Sequence, residues 1–382
     1  MENNVDEIKS KSHIVLAIGN STETSSSHCG YVFIIKESLS SVLAGFHAGY
    51  FRIGLSLCSQ ALLWKILGDS EEDGHPLRRA FRALPSATSI FLWSLALFTL
   101  ASLCLLYMLR CLFHFEKVKA EFLDPVGVNY LFAPWISWLL LLQSSPFFTP
   151  KTTCYLALWW AFVIPVLILD VKIYGQWFTK GKRSLSAVGN PTSQLSVIGN
   201  LIGAQAAAKN GWGEIAVFMF SLGMAHYLVL FVTLYQRISR GNCLPTMLRP
   251  AFFLFFAAPS MASLAWDSIS GSFDNSSKML FFLSLFLFFS LACRPTLFRK
   301  STKKFNVAWW AYSFPLTTLA LASVDYAQEV KGTLAHGIML GLSSLSVLVS
   351  VALIVSTALN TNMLFQTDAV FNSSQCDHAL PT

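Results

Sequence analysis

Ten apolar stretches recur along the 382-residue chain, and they limit its fold more than any motif does. They cover Ser41–Leu67, Ser86–Phe113, Val128–Gln143, Thr153–Tyr174, Ser193–Ala208, Trp212–Tyr235, Ala251–Trp266, Lys278–Cys293, Val307–Val324 and Leu334–Leu359. A spanning helix needs roughly 20 mostly apolar residues, and the third, fifth, seventh and eighth stretches fall short of that. Inside lipid every backbone N–H and C=O must find a partner within the protein, which a helix supplies segment by segment. The pattern predicts an all-α, multi-pass membrane protein with ten transmembrane helices. The loops are too short for a soluble domain, so the chain divides into a tail (1–40), a membrane domain (41–360) and a second tail (361–382). Composition agrees, because only 12% of residues are charged and 54% are hydrophobic. A soluble domain carries about 25% charged residues. Soluble, disordered and nucleic-acid-binding readings therefore fail despite the net charge of +7.

Charge placement sets the expected orientation. Loops after even-numbered spans hold Arg110, Lys117 and Lys119, then Lys180, Lys182 and Arg183, then Arg237, Arg240 and Arg249, and finally Arg294, Arg299, Lys300, Lys303 and Lys304. Loops after odd-numbered spans hold one lysine each, Lys151, Lys209, Lys278 and Lys331, except the first. That loop has Arg78, Arg79 and Arg82, partly offset by Asp69, Glu71, Glu72 and Asp73. The positive-inside rule then puts both termini in the cytosol. The sequon at Asn275 falls outside on this topology, and those at Asn20 and Asn372 face the cytosol. The polar first forty residues contain no signal-peptide core. The eight cysteines show no zinc spacing, and no cofactor or hydrolase motif is present, so no metal, cofactor or enzymatic site is expected.

Odd-numbered spans carry breakers or small-residue clusters: Gly45, Gly49 and Gly54, then Pro134, Gly199 with Gly203, Pro259 and Pro315. Even spans are mostly straight Leu/Phe/Ala runs, with Pro165 the exception. Broken backbone inside a membrane survives only where neighbours or a water-filled cavity satisfy it. Five helical hairpins, with bent odd helices inside and even helices outside, is the economical arrangement.

Ionisable residues within a span are costly and usually paired or functional. Arg52 lies about eleven residues into the first span, where two roles fit: attracting anions to a pore, or pairing with a carboxylate of another helix. Lys65 is expected to snorkel, Asp170 and Lys172 to form an interfacial cluster, and His226 to be a hydrogen-bonded packing residue. The spans lack the carboxylates of an ion-coupled transporter. The residues by themselves lead to a membrane conduit and leave its permeant species open.

Several long strings resemble the plant slow-type anion channels of the tellurite-resistance/dicarboxylate transporter superfamily. They include Phe46-His47-Ala48-Gly49-Tyr50-Phe51-Arg52, Gly127 through Trp135, Asp170 through Trp177, Asn190 through Asn200, Arg249-Pro250 through Asp267, and Val307 through Pro315. The resemblance spans about residues 41–360. It implies ten helices as five hairpins around a central pore, a homotrimer, and passive efflux of chloride and nitrate across the plasma membrane. It also implies a gate, a phenylalanine at the bend of the ninth helix, which here is Phe314. Arg52, Phe132, Pro134, Phe255, Pro259, Ser260 and Pro315 are expected to line the pore. The short N-terminal tail is similar to a subgroup of which some members act with related subunits, so a heteromeric or modulatory role is an alternative, as is a dicarboxylate (malate) carrier. The Ser21–Ser27 cluster offers hydroxyls for kinase regulation.

Overall fold

The computed structural model describes residues 42–69, 86–178, 185, 189–239, 246–298 and 305–360. The serine-rich cluster, Arg78, Arg79, Arg82, Lys180, Lys182, Arg183, Arg240, Arg299, Lys300, Lys303, Lys304 and the sequons at Asn20 and Asn372 lie outside these residues.

Among the described residues there are ten helices of thirteen residues or longer: α1 (Phe51–Asp69), α2 (Ser86–Phe113), α3 (Phe132–Ser144), α4 (Thr153–Trp177), α5 (Gln194–Lys209), α6 (Gly213–Ser239), α7 (Leu254–Ser270), α8 (Asn275–Ala292), α9 (Ser313–Val330) and α10 (Thr333–Leu359). A linking helix, Phe115–Leu123, joins α2 to the segment before α3. Seven helical segments are long and apolar enough to cross a membrane, and an eighth qualifies if the linking helix and Gly127–Ser144, bent by 103°, count as one. Helices α1 and α5 do not qualify on their own. They are buried in protein rather than lipid: every residue of α5 from Gln194 to Ala207 is buried, including Asn200 and Gln205. A hydropathy criterion that assumes contact with lipid undervalues such helices.

Burial divides the helices into two sets. In α2, α4, α6, α8 and α10 between 17% and 33% of the apolar core of the span is buried, against 83% and 89% for α7 and α9 with their leading turns. The even helices turn residues such as Phe98, Val171, Phe286 and Val351 outward. That apolar exterior is what a lipid-facing surface requires. Each even helix packs on the odd helix before it. The odd helices pack in sequence, α1 on α3, α3 on α5, α5 on α7, α7 on α9 and α9 back on α1. The result is a closed inner ring of five helices.

Every odd helix begins in the same way. A short turn precedes it: Ala48–Tyr50, Gly127–Tyr130, Pro191–Ser193, Thr246–Phe253 and Val307–Tyr312. In four of these turns a side chain accepts from the backbone: His47 from the Gly49 N–H, Asp124 from those of Val126 and Gly127, Asn190 from that of Thr192 and Asn306 from that of Ala308. This revises where the breaks lie. Pro134 and Pro315 are the third residues of α3 and α9, where a missing N–H is not needed, so they start these helices and do not bend their middles. Pro259 is interior to α7, as expected. The first span is likewise not one helix over Ser41–Leu67: Phe46 and His47 interrupt it, and Arg52 falls in the first turn of α1.

Candidate functional site

The leading turns meet on the inner ring. A cavity there is lined by Arg52 and Leu55 of α1, Tyr130 before α3, Leu195 of α5, Leu254 of α7 and Phe314 of α9. All five ring helices or their leading turns contribute, so this cavity lies where a passage enclosed by the ring would run. Its volume is about 10 Å³. That is near the smallest space able to hold one water, so no hydrated ion fits in this conformation. The Phe314 ring, 1% exposed, closes one side.

Arg52 is the cavity's cation. Its Nε donates to the Gly49 carbonyl at 2.8 Å, and its guanidinium sits over the Tyr130 ring, 4.8 Å from the centroid. A cation held over an aromatic face is steadied without being neutralised. Among the described residues no carboxylate pairs with Arg52. The nearby carboxylate, Glu121 on the linking helix, is already committed: Oε2 accepts from Arg110 at 3.0 Å and Oε1 from the Ala48 N–H at 2.6 Å. Of the two roles open to Arg52, pairing with a carboxylate is not the one seen among the described residues.

The other sequence-derived candidates do not line this cavity. Leu254 lines it, and Phe255, one residue on and therefore about 100° around the helix, packs instead against Phe252 and against Phe231 of α6. Phe132 is fully buried between α3 and α5, where it faces Gly199. Ser260 turns to α8, where its hydroxyl meets that of Ser284 and donates to the Phe256 carbonyl at 2.9 Å. Pro134, Pro259 and Pro315 shape their helices and are not among the lining residues. Leu55, Tyr130, Leu195 and Leu254 were not anticipated. The clue to Tyr130 was a polar-edged aromatic two residues before the Phe132-Ala133-Pro134 string.

Asp170 and Lys172 both pair with neighbours, though not with the same one. Asp170 accepts from Asn200 Nδ2 at 2.7 Å, whereas the Lys172 ammonium lies over the Phe122 ring and donates to the Phe122 carbonyl. His226 is a packing residue: its Nδ1 bonds the Leu222 carbonyl at 2.7 Å and its ring stacks on Tyr174. At the opposite ends of the ring helices, Lys65 donates to the carbonyls of Gln143 and Ser145 at 3.2 and 3.0 Å. Lys209 approaches Gln143 Oε1 at 3.5 Å and feels the carboxylates of Asp267 and Asp325.

Residues 45–358 match the family described as SLAC1, voltage-dependent anion channel. The chain belongs to the SLAC1 family. It is 60% identical over 336 residues to the S-type anion channel SLAH1 of Arabidopsis thaliana, covering 88% of this chain and 87% of that protein. It is 43% identical over 317 residues to the guard cell S-type anion channel SLAC1 of the same plant, covering 82% of this chain and 56% of that protein. A tellurite resistance protein TehA homolog from Haemophilus influenzae is a distant SLAC1-family relative, 24% identical over 304 residues, or 78% of this chain and 87% of that one. The SLAC1 family is one of membrane channels and not of enzymes.

Proposed function

We propose that this chain is a slow-type anion channel through which chloride and nitrate leave the cell passively across the plasma membrane. The observation that carries the reading is a constriction lined by both Arg52 and Phe314 inside a closed ring of five helices. A cation beside an apolar plug suits a pore that concentrates anions and excludes them until the ring moves. In this reading the ten helices form five hairpins around a central pore, three chains assemble as a trimer, and both termini lie in the cytosol. The relatives named S-type anion channels support it. Anions that shed water readily, such as nitrate, are favoured, because the constriction offers one cation and otherwise apolar walls.

Two-electrode voltage clamp of the chain, alone and with a long-tailed relative, in chloride and then nitrate, tests this function. The expected result is a current whose reversal potential follows the anion gradient. Electroneutral, saturable exchange would make it a carrier, and current only on co-expression would make it a modulatory subunit. Arg52→Gln should lower anion conductance by up to about tenfold at equal surface level, the low end of what charge focusing in a narrow cleft supplies. Arg52→Lys should retain part of it. Unchanged conductance in Arg52→Gln would remove Arg52 from the conduction path.

A further inference from the structure

Beside the constriction, three helices share a polar seam built on a four-residue register. Arg52, Ser56 and Gln60 form one stripe on α1, Ser313 and Thr317 one on α9, and Ser346 and Ser350 one on α10. Residues four apart lie above one another on a helix, so the stripes face each other along their length. Ser56 Oγ donates to Ser313 Oγ at 2.5 Å, and Ser313 shares a hydrogen bond with Ser350 at 2.7 Å. The Gln60 amide nitrogen reaches Thr317 Oγ1 at 2.9 Å, Ser346 Oγ at 2.7 Å and Ser350 Oγ at 2.8 Å. Thr317 and Ser346 are joined at 2.9 Å. None of the six hydroxyl and amide side chains is more than 4% exposed.

The bonds are of two kinds. Those from α9 and its leading turn to α10 (Ser313 to Ser350, Thr317 to Ser346, and Trp310 Nε1 to Thr357 at 3.0 Å) fasten the two helices into one unit. Those from α1, Ser56 to Ser313 and Gln60 to Thr317, Ser346 and Ser350, join that unit to the helix that carries Arg52. Ser313 immediately precedes Phe314. The depth to which the Phe314 ring enters the cavity is therefore fixed by where α9 rests on α1, and that seam is polar. Buried hydroxyls stay paired because an unpaired one is costly, so the seam opposes any drift of α9. Gln60 has two N–H donors facing three hydroxyl oxygens, so both donors are satisfied while α9 and α10 rest against α1 in this position.

We propose that Ser56, Gln60, Ser313 and Thr317 are positioning residues that form a hydrogen-bonded latch between α1 and the α9–α10 unit, holding Phe314 in the closed position. The proposal rests on the reading of Phe314 as the gate. The test is voltage clamp with surface labelling of Ser313→Ala/Thr317→Val, Phe314→Ala, and the three changes combined. The latch variant should pass severalfold more basal current than the unmodified chain at equal surface level, and the triple variant should equal Phe314→Ala. Increased current in Phe314→Ala with none in the latch variant overturns the latch alone, as does a triple variant that adds the two effects. No increase in Phe314→Ala overturns the gate and the latch with it. If Ser313→Ala/Thr317→Val fails to reach the surface, Ser56→Cys/Ser313→Cys replaces it. Its current should fall when an oxidant joins the two thiols, confirmed by loss of thiol labelling, and return on reduction. Current that ignores a confirmed cross-link overturns the proposal.

Discussion

Replacing Phe314 by alanine is expected to raise basal anion current by at least about tenfold at equal surface level, the size of effect that follows from removing an apolar constriction. The residue is 1% exposed and lines a cavity of about 10 Å³, so at most about one water fits at this level. Without the ring, the space between Arg52, Tyr130 and Leu254 becomes large enough to wet, and a wet passage with a cation on its wall admits anions. Truncating a fully buried Phe costs about 3–5 kcal/mol where the site cannot refill. Surface labelling must therefore accompany the current. Phe314→Leu should give an intermediate current and Phe314→Trp should stay closed, since the effect follows side-chain bulk. Equal currents in all four proteins at equal surface level would exclude Phe314 from gating.

Much of the architecture is written in the sequence, because lipid-facing helices must advertise themselves: α2, α4, α6, α8 and α10 read as long apolar runs and are the exposed ones. The inner helices are subtler, since protein and not lipid surrounds them, and they tolerate Gln60, Asn200 and Gln205. Small residues marked part of their packing. A Cβ on Gly199 would sit 3.3 Å from Val166 and 3.6 Å from Phe132, a true close approach, while Gly337 and Gly341 share the same spacing and face open space. The helix phase was not legible. A leading turn of three residues per turn in place of 3.6 shifts every later side chain around the axis, which is why Leu254 and not Phe255 reaches the cavity.

Breaking the Arg110–Glu121 pair should destabilise the protein more than any change outside the ring. Both side chains are almost wholly buried, at 7% and 3% exposed, and the carboxylate also holds the Ala48 N–H. Removing one partner of such a pair leaves an uncompensated buried charge and costs about 3–5 kcal/mol, a large share of the ~5–15 kcal/mol by which a protein is stable. The two partners are not equivalent. Arg110→Met leaves Glu121 with the Ala48 N–H still donating to it, whereas Glu121→Met strands a guanidinium and orphans that N–H together, so Glu121→Met should lower the melting temperature further. Exchanging the charges cannot restore the site, because an arginine at 121 has no acceptor for Ala48. Arg110→Met/Glu121→Gln should recover much of the loss, since the glutamine carbonyl can accept from Ala48 with no buried charge left. Thermal unfolding in detergent measures all four variants, and a Glu121→Met protein that melts like the unmodified chain would show the pair to be dispensable. The damage should also reach the constriction. Ala48 opens the Ala48–Tyr50 turn, whose Gly49 carbonyl holds Arg52 Nε, so a turn released from Glu121 no longer fixes the guanidinium over Tyr130. Current per surface channel should then fall in Glu121→Met and recover in the double variant, which separates loss of the site from loss of the fold.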